Sequence, residues 1–300
     1  MYNKHILLLT VTNISVREFI DISMANLISI LKQQQKTKIT HQQLLGFYFI
    51  VTSILLAFLL NAVAQQSPQN IQINEVIFHF FRHLRTPVID NIMLSISFLG
   101  DKYVLLPLSL TLFAWLIWKQ RYIAWHILFL GMLALGSVKF IKPLVHSPRP
   151  GGVVDVNFSS HFSFPSGHTT LAVVYYFLLA FLLIKAYKIK RYQLVIYAIA
   201  AIPVIAIFLA RLYFGVHWLT DIMGSALLGF ALLMLILLFY NFIKVQEHLA
   251  PKGIVIVSLL TLLVTYSVTF YFTFDKLKSA YTMLESSTLG VKYAALDFRI

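Results

Sequence analysis

The sequence predicts an all-α integral membrane protein, a polytopic helical bundle of seven spans with the last near the C-terminus. Three observations predict it. Of the 300 residues 59% are hydrophobic and only 12% charged, about half the charged share usual in a soluble domain. The apolar residues gather in runs of roughly 20, the length a bilayer demands. The basic residues sit between those runs. A formal net charge of +13 would suggest nucleic acid in a soluble chain. Here it reads as membrane orientation and attraction to anionic lipid, so no nucleic-acid partner is expected.

The elements follow in order. Residues 1–43 form a mixed, polar N-terminal segment on the cytoplasmic side. Ile20, Met24, Leu27 and Leu31 share one helical face there, which fits a helix lying in the interface or an ordinary amphipathic helix. Met1 to Thr10 hold a short apolar run with no small-residue cleavage site, so no removable signal peptide is expected. Spans are placed at about 44–64, 102–118, 123–142, 167–186, 193–211, 218–241 and 253–274. Between the first two, Ile92–Leu99 is too short to span and reads as a surface or re-entrant helix. Gly100-Asp101 closes it, with Asp101 capping the next span. Residues 44–242 thus make the membrane core, and 243–300 add one span and an extracytoplasmic tail. The chain has no cysteine, which excludes disulfides and thiolate chemistry.

Orientation follows from Lys and Arg. The overall bias is small, but the tight loops Lys119–Arg121 and Lys185–Arg191 are basic, and short loops obey the positive-inside rule best. That puts the N-terminus and both loops inside.

Three polar islands interrupt the apolar sequence: Lys142 to Pro150, Pro165 to His168, and Arg211 to Asp221. By alternation of spans all three lie at one membrane face. Ionisable residues at membrane depth cost several kcal/mol and are functional by default. Lys142, Arg149 and Arg211 supply three positive charges, two of them planar forks matched to phosphate oxygens. Ser166, Gly167 and His168 open a helix, where free amides and the helix dipole favour an anion. Asp221 stands one turn beyond His217 and can hold one ring nitrogen protonated while the other attacks. His168 has no carboxylate nearby in sequence and is free to donate a proton to a leaving alkoxide.

Taken singly these residues have plainer readings: Lys142 as a snorkelling lysine, Ser166 as a helix cap. Other positions read as structural. His146 and His161 share the loop 143–165 and read as loop residues, with contact to a lipid head group the alternative. His79, His83 and His126 have no carboxylate at metal-ligand spacing, so no metal site is expected. Ser225 and Gly229 form a small-xxx-small pair for close helix packing. Trp218 and Tyr213 read as interfacial anchors.

The three islands together resemble the three-part signature of the type-2 phosphatidic acid phosphatase superfamily: Lys142 through Arg149-Pro150, Pro165-Ser166-Gly167-His168, and Arg211 through His217 to Asp221. The resemblance covers about residues 90–242. Ala210 departs from it, since the family usually has Ser before that arginine, and a change in phosphate affinity is expected there. The resemblance implies a six-span phosphatase core, a phosphohistidine intermediate and, for bacterial members, an extracytoplasmic site at the inner membrane. His217, His168 and Asp221 would carry the chemistry. Lys142, Arg149, Ser166, Gly167 and Arg211 would hold the phosphate, with no metal and no cofactor. The substrate would be a lipid phosphate or diphosphate: undecaprenyl diphosphate, which extracytoplasmic members often recycle, phosphatidic acid or phosphatidylglycerophosphate. A lipid phosphotransferase on the same scaffold and a non-catalytic anion transporter are the alternatives.

Overall fold

A computed structural model of the chain describes residues 41–65, 71–150, 162–242 and 249–297. The helix expected within 16–31 and His161 lie outside them. The described chain is helical: α1 (His41–Gln65), α2 (Gln72–His83), α3 (Pro87–Phe98), α4 (Lys102–Trp118), α5 (Ile123–Val145), α6 (Gly167–Tyr187), α7 (Gln193–Tyr213), α8 (Leu219–Phe242) and α9 (Pro251–Asp297). Among the described residues the only β pairing is an isolated antiparallel bridge between Pro148 and Phe162.

Seven stretches are long and apolar enough to cross a membrane: Gln42–Gln65, Pro87–Trp118, Ile123–Val145, Gly167–Tyr187, Gln193–Tyr213, Leu219–Phe242 and Pro251–Ser279. The second begins earlier than expected because α3 and α4 form one apolar stretch broken only by the turn at Leu99–Asp101. Asp101 caps α4 as anticipated, its Oδ1 accepting from Tyr103 N at 2.8 Å. Thr86 caps α3 by accepting from Ile89 N, with Pro87 in the first turn, where a missing N–H costs nothing.

The core arises from helical periodicity. Leu105, Leu108, Leu112 and Leu116 of α4 meet Ile123, Ile127, Leu130 and Ala134 of α5, each set recurring at three- and four-residue steps and so lying on one face. Leu171, Val174, Tyr175 and Leu178 of α6 and Leu228, Leu232 and Ile236 of α8 complete the cluster. Outward faces stay apolar: Phe58, Trp118, Leu194 and Ile202 are exposed, as lipid-facing side chains are. The small-xxx-small pair works as expected. A Cβ on Gly229 would stand 2.9 Å from Val173 Cβ and 3.1 Å from Thr170 O, so α6 and α8 approach as closely as they do only because glycine is there.

Helix α9 packs along α4 and also touches α3 and α6. Thr111 and Thr261 hydroxyls hydrogen-bond at 3.0 Å. Tyr266, Phe270 and Phe274, one turn apart, line up against Phe98, and Tyr266 donates to Ser95 O at 3.1 Å. The helix runs without a break to Asp297, through most of the segment expected as a tail.

Candidate active site

The segment from the end of α7 to the start of α8 holds the third island. Arg211 is buried on an otherwise apolar helix, and its Nη1 donates to Ser97 Oγ of α3 at 3.0 Å. Gly215 then turns the chain with φ +61°, and Phe78 of α2 fills the space a Cβ would need, so glycine is required there twice over. His217 follows. Its Nδ1 lies 3.5 Å from Asp221 Oδ2, with both side chains almost fully buried. The same carboxylate oxygen accepts from Trp218 N at 2.8 Å, which fixes it. The 3.5 Å gap is long for a hydrogen bond.

Helices α2 and α3 brace this segment. Asn74 donates to Thr220 Oγ1 at 3.0 Å and accepts from Thr220 N at 3.1 Å, satisfying an N-terminal amide of α8 from another helix. Tyr213 donates to Asp90 Oδ1 at 2.6 Å and accepts from Thr86 N at 3.2 Å, while Arg85 forms a two-point ion pair with Asp90. Trp218 Nε1 donates to Pro148 O at 2.8 Å. Trp218 and Tyr213 are therefore buried struts, which corrects their reading as interfacial anchors. Their polar tips find protein partners, and that satisfies an aromatic at a span end as well as water does.

The first two islands are tied to each other and to the third. His146, in the left-handed conformation, ends α5, its N–H donating to Lys142 O, and its ring packs edge-on against Phe162. Lys142 Nζ donates to Phe162 O at 2.7 Å. Ser147 and Ser163 hydroxyls meet at 2.8 Å. Arg149 Nη1 donates to Val216 O at 2.8 Å, beside His217. Each of the three basic residues thus spends a donor on another segment of the site and is held in place by it.

Ser166 caps α6, accepting from Thr169 N at 3.5 Å. Its own N–H donates to Ser225 Oγ of α8 at 2.6 Å. Ser225 thus does more than allow close packing, and the Ser166 amide is not free for an anion. The amides of Gly167 and His168, in the first turn of α6, have no acceptor within the helix. A Cβ on Gly167 would meet only Val138 at 3.8 Å, an ordinary contact, so packing does not require glycine there. Ala210 is fully buried.

His168 does have a carboxylate partner: Asp101 Oδ2 lies 3.4 Å from His168 Nε2. The two are far apart in the chain, so local sequence could not pair them. The available signal was an acidic residue at a span end on the same membrane face as the islands. Asn74, Asp90 and Ser97 were likewise invisible, because the island residues they hold, Thr220, Tyr213 and Arg211, are distant from them in sequence.

Arg149, Arg211, Lys142 and His168 all act electrostatically on His217, so all three islands converge on this histidine. Burial, then Arg149, Arg211 and Lys142, hold its imidazole well below the usual value of 6.5. A neutral imidazole with one nitrogen facing Asp221 has a lone pair on the other, and the surrounding cations can neutralise an anion in front of it. Such a set can bind phosphate, attack phosphorus and protonate a departing oxygen. Outside this cluster, His79 does have a carboxylate one turn away, with Glu75 at 3.3 Å; the pair is exposed on α2. Among the described residues no three His, Cys, Asp or Glu side chains come together as metal ligands would.

A family model described as the PAP2 superfamily matches residues 122–244, which contain all three islands. The chain is 31% identical over 189 residues to phosphatidylglycerophosphatase B of Bacillus subtilis (strain 168), covering 61% of this chain and 91% of that protein. It is similar in fold to the crystal structure of a transmembrane PAP2 type phosphatidylglycerolphosphate phosphatase from Bacillus subtilis. There the TM-score is 0.60 at 26% identity, over 67% of this chain and 100% of that one. The crystal structure of Aquifex aeolicus LpxE aligns with a TM-score of 0.41 at 27% identity, over 55% of this chain and 94% of that one.

Proposed function

The chain belongs to the PAP2 superfamily as a multi-pass membrane phosphatase, and we propose that it hydrolyses the terminal phosphate of a lipid phosphate or diphosphate through a phosphohistidine on His217. The observation that carries this reading is the buried His217–Asp221 pair set among Lys142, Arg149 and Arg211. A site that only bound anions would need the cations but not an oriented neutral imidazole, which argues against a transporter.

The steps follow from the chemistry of the side chains. The three cations and the amides of Gly167 and His168 take the phosphate oxygens, where charge develops in the transition state. Gly167 suits an anion lying against the backbone, since the protein's own packing leaves that space open. Asp221 keeps Nδ1–H of His217 oriented, and Nε2 attacks phosphorus in line with the leaving oxygen. The P–O bond breaks as the N–P bond forms, and His168 gives its proton to the departing lipid oxygen. His168, now neutral, then takes a proton from the water that cleaves the N–P bond. The cations already neutralise the phosphate, so no step needs a metal.

The substrate class follows from position. The site lies where spans end, so a phosphate can enter from the membrane surface while its tail stays in the bilayer. Phosphatidylglycerophosphate, which the names of the Bacillus subtilis relative and of the Bacillus subtilis crystal structure contain, stands with undecaprenyl diphosphate and phosphatidic acid as a candidate. The decisive experiment is phosphate release by the purified protein from these three lipids, with EDTA present. Release at an undiminished rate is expected. Loss of activity in EDTA and its return with Mg²⁺ would overturn the metal-free route. Transfer of phosphate to a lipid acceptor, without free phosphate, would make the protein a phosphotransferase.

The basic loops at 119–121 and 185–191 support an orientation with the site on the extracytoplasmic side of the inner membrane. The chain has no cysteine, so a His83→Cys variant at the end of α2 carries a single thiol. An impermeant thiol reagent should label it on intact cells. Labelling only after lysis would reverse the orientation.

A further inference from the structure

We infer that Asp101 is a positioning residue for His168, so that the acid of the reaction, like its nucleophile, works as a histidine–carboxylate pair. The inference rests on the reading of His168 as the proton donor.

The carboxylate is held rigidly. Asp101 Oδ1 accepts from Tyr103 N at 2.8 Å as the cap of α4, which leaves Oδ2 at 3.4 Å from His168 Nε2. The turn that carries it is pressed against α6 and α7. A Cβ on Gly100 would come 3.3 Å from His168 O and 2.8 Å from Ile207 Cγ2, so only glycine lets the turn come this near. Tyr176 of α6 ties the same turn down by donating to Leu99 O at 3.1 Å. Capping alone does not call for a carboxylate, since Ser, Thr or Asn would cap α4 as well. A carboxylate adds a charged acceptor, and His168 sits where one is needed. The charged and titratable groups that act on it are Asp101 and Lys102 at the start of α4, Arg211 on α7 and His217. Of these Asp101 is the anion, and it is the one in contact.

The consequence for the reaction is specific. With Nε2–H donated to Asp101, the proton that leaves with the lipid oxygen is the one on Nδ1. Asp101 stays ionised throughout; no proton passes through it. It stabilises the imidazolium before transfer and restores the ring's orientation for the hydrolytic step.

The test compares Asp101→Asn, His168→Ala and the double variant with the unaltered full chain in detergent. The substrates are phosphatidic acid, whose leaving group is poor, and p-nitrophenyl phosphate, whose leaving group needs little acid help. Asparagine still caps α4, so folding is kept while the charge is lost. Asp101→Asn should lower kcat for phosphatidic acid by roughly 10–100-fold, part of the ~10²–10⁴ that general acid help is worth. KM should stay within about threefold, as should turnover of p-nitrophenyl phosphate, and the double variant should be no slower than His168→Ala. Equal losses on both substrates, a loss that multiplies with that of His168→Ala, or no loss at all would overturn the inference. If His168→Ala itself shows no preference for the good leaving group, the assignment of His168 fails and this inference falls with it. A normal His168→Ala signature beside an unaffected Asp101→Asn removes this inference alone.

Discussion

The two histidine–aspartate pairs of the site are built in opposite ways. His217 and Asp221 are four residues apart, straddling the start of α8. His168 and Asp101 come from α6 and from the turn before α4. The first pair is sealed, with side chains 3% and 0% exposed; the second is open, at 18% and 17%. The difference matches the two tasks proposed for them. A nucleophile gains from a dry, fixed environment that keeps it neutral, whereas a proton donor and acceptor must meet both a leaving lipid and an incoming water.

The comparison breaks most sharply at its centre. His217→Ala should abolish turnover of every substrate, p-nitrophenyl phosphate included, because in the proposed mechanism the bond to phosphorus forms on His217. Enzyme quenched in alkaline detergent, in which a phosphohistidine survives, should carry labelled phosphate on His217. Phosphate trapped on His168 would exchange the roles of the two pairs.

Asp221→Asn comes next. It keeps the side-chain shape but can present an amide N–H to Nδ1, favouring the wrong tautomer. A loss in kcat of roughly 10²–10⁴ is expected, by analogy with catalytic triads, and it should be the same for good and poor leaving groups. That uniformity separates it from Asp101→Asn, whose loss should grow with a poorer leaving group. If the two variants behave alike, the division of labour between the pairs is wrong.

The smallest effect is a titration. Burial and the cations lower the His217 pKa, and a lowered pKa means the ring loses its proton at a lower pH than usual. His217 should therefore already be neutral at pH 6.5, with its midpoint below that value. Nitrogen-15 spectra of histidine-labelled protein, assigned against His217→Ala, would measure it. A midpoint at or above 6.5 would remove the electrostatic basis for a neutral nucleophile.

The sequence by itself determined the seven apolar stretches, because a bilayer imposes length and composition one segment at a time. It also determined that Lys142, Arg149, His168, Arg211, His217 and Asp221 share one membrane face, because alternation of spans is arithmetic. The His217–Asp221 pair was legible for a local reason, since four residues make about one turn of helix. Local reasoning misplaced Trp218 and Tyr213. An aromatic at a span end looks the same whether its polar tip meets water or, as here, Pro148 and Asp90. It likewise counted the Ser166 amide as available, though Ser225 on another helix takes it. What only the tertiary structure decided is how the islands are clamped together. Lys142 is held by Phe162, Arg149 by Val216, Arg211 by Ser97 and Thr220 by Asn74, and Asp101 faces His168. Each of these contacts joins residues far apart in the chain, and such a contact exists only once helices pack. Periodicity tells which face of a helix is buried, but it does not tell which distant residue waits on the other side.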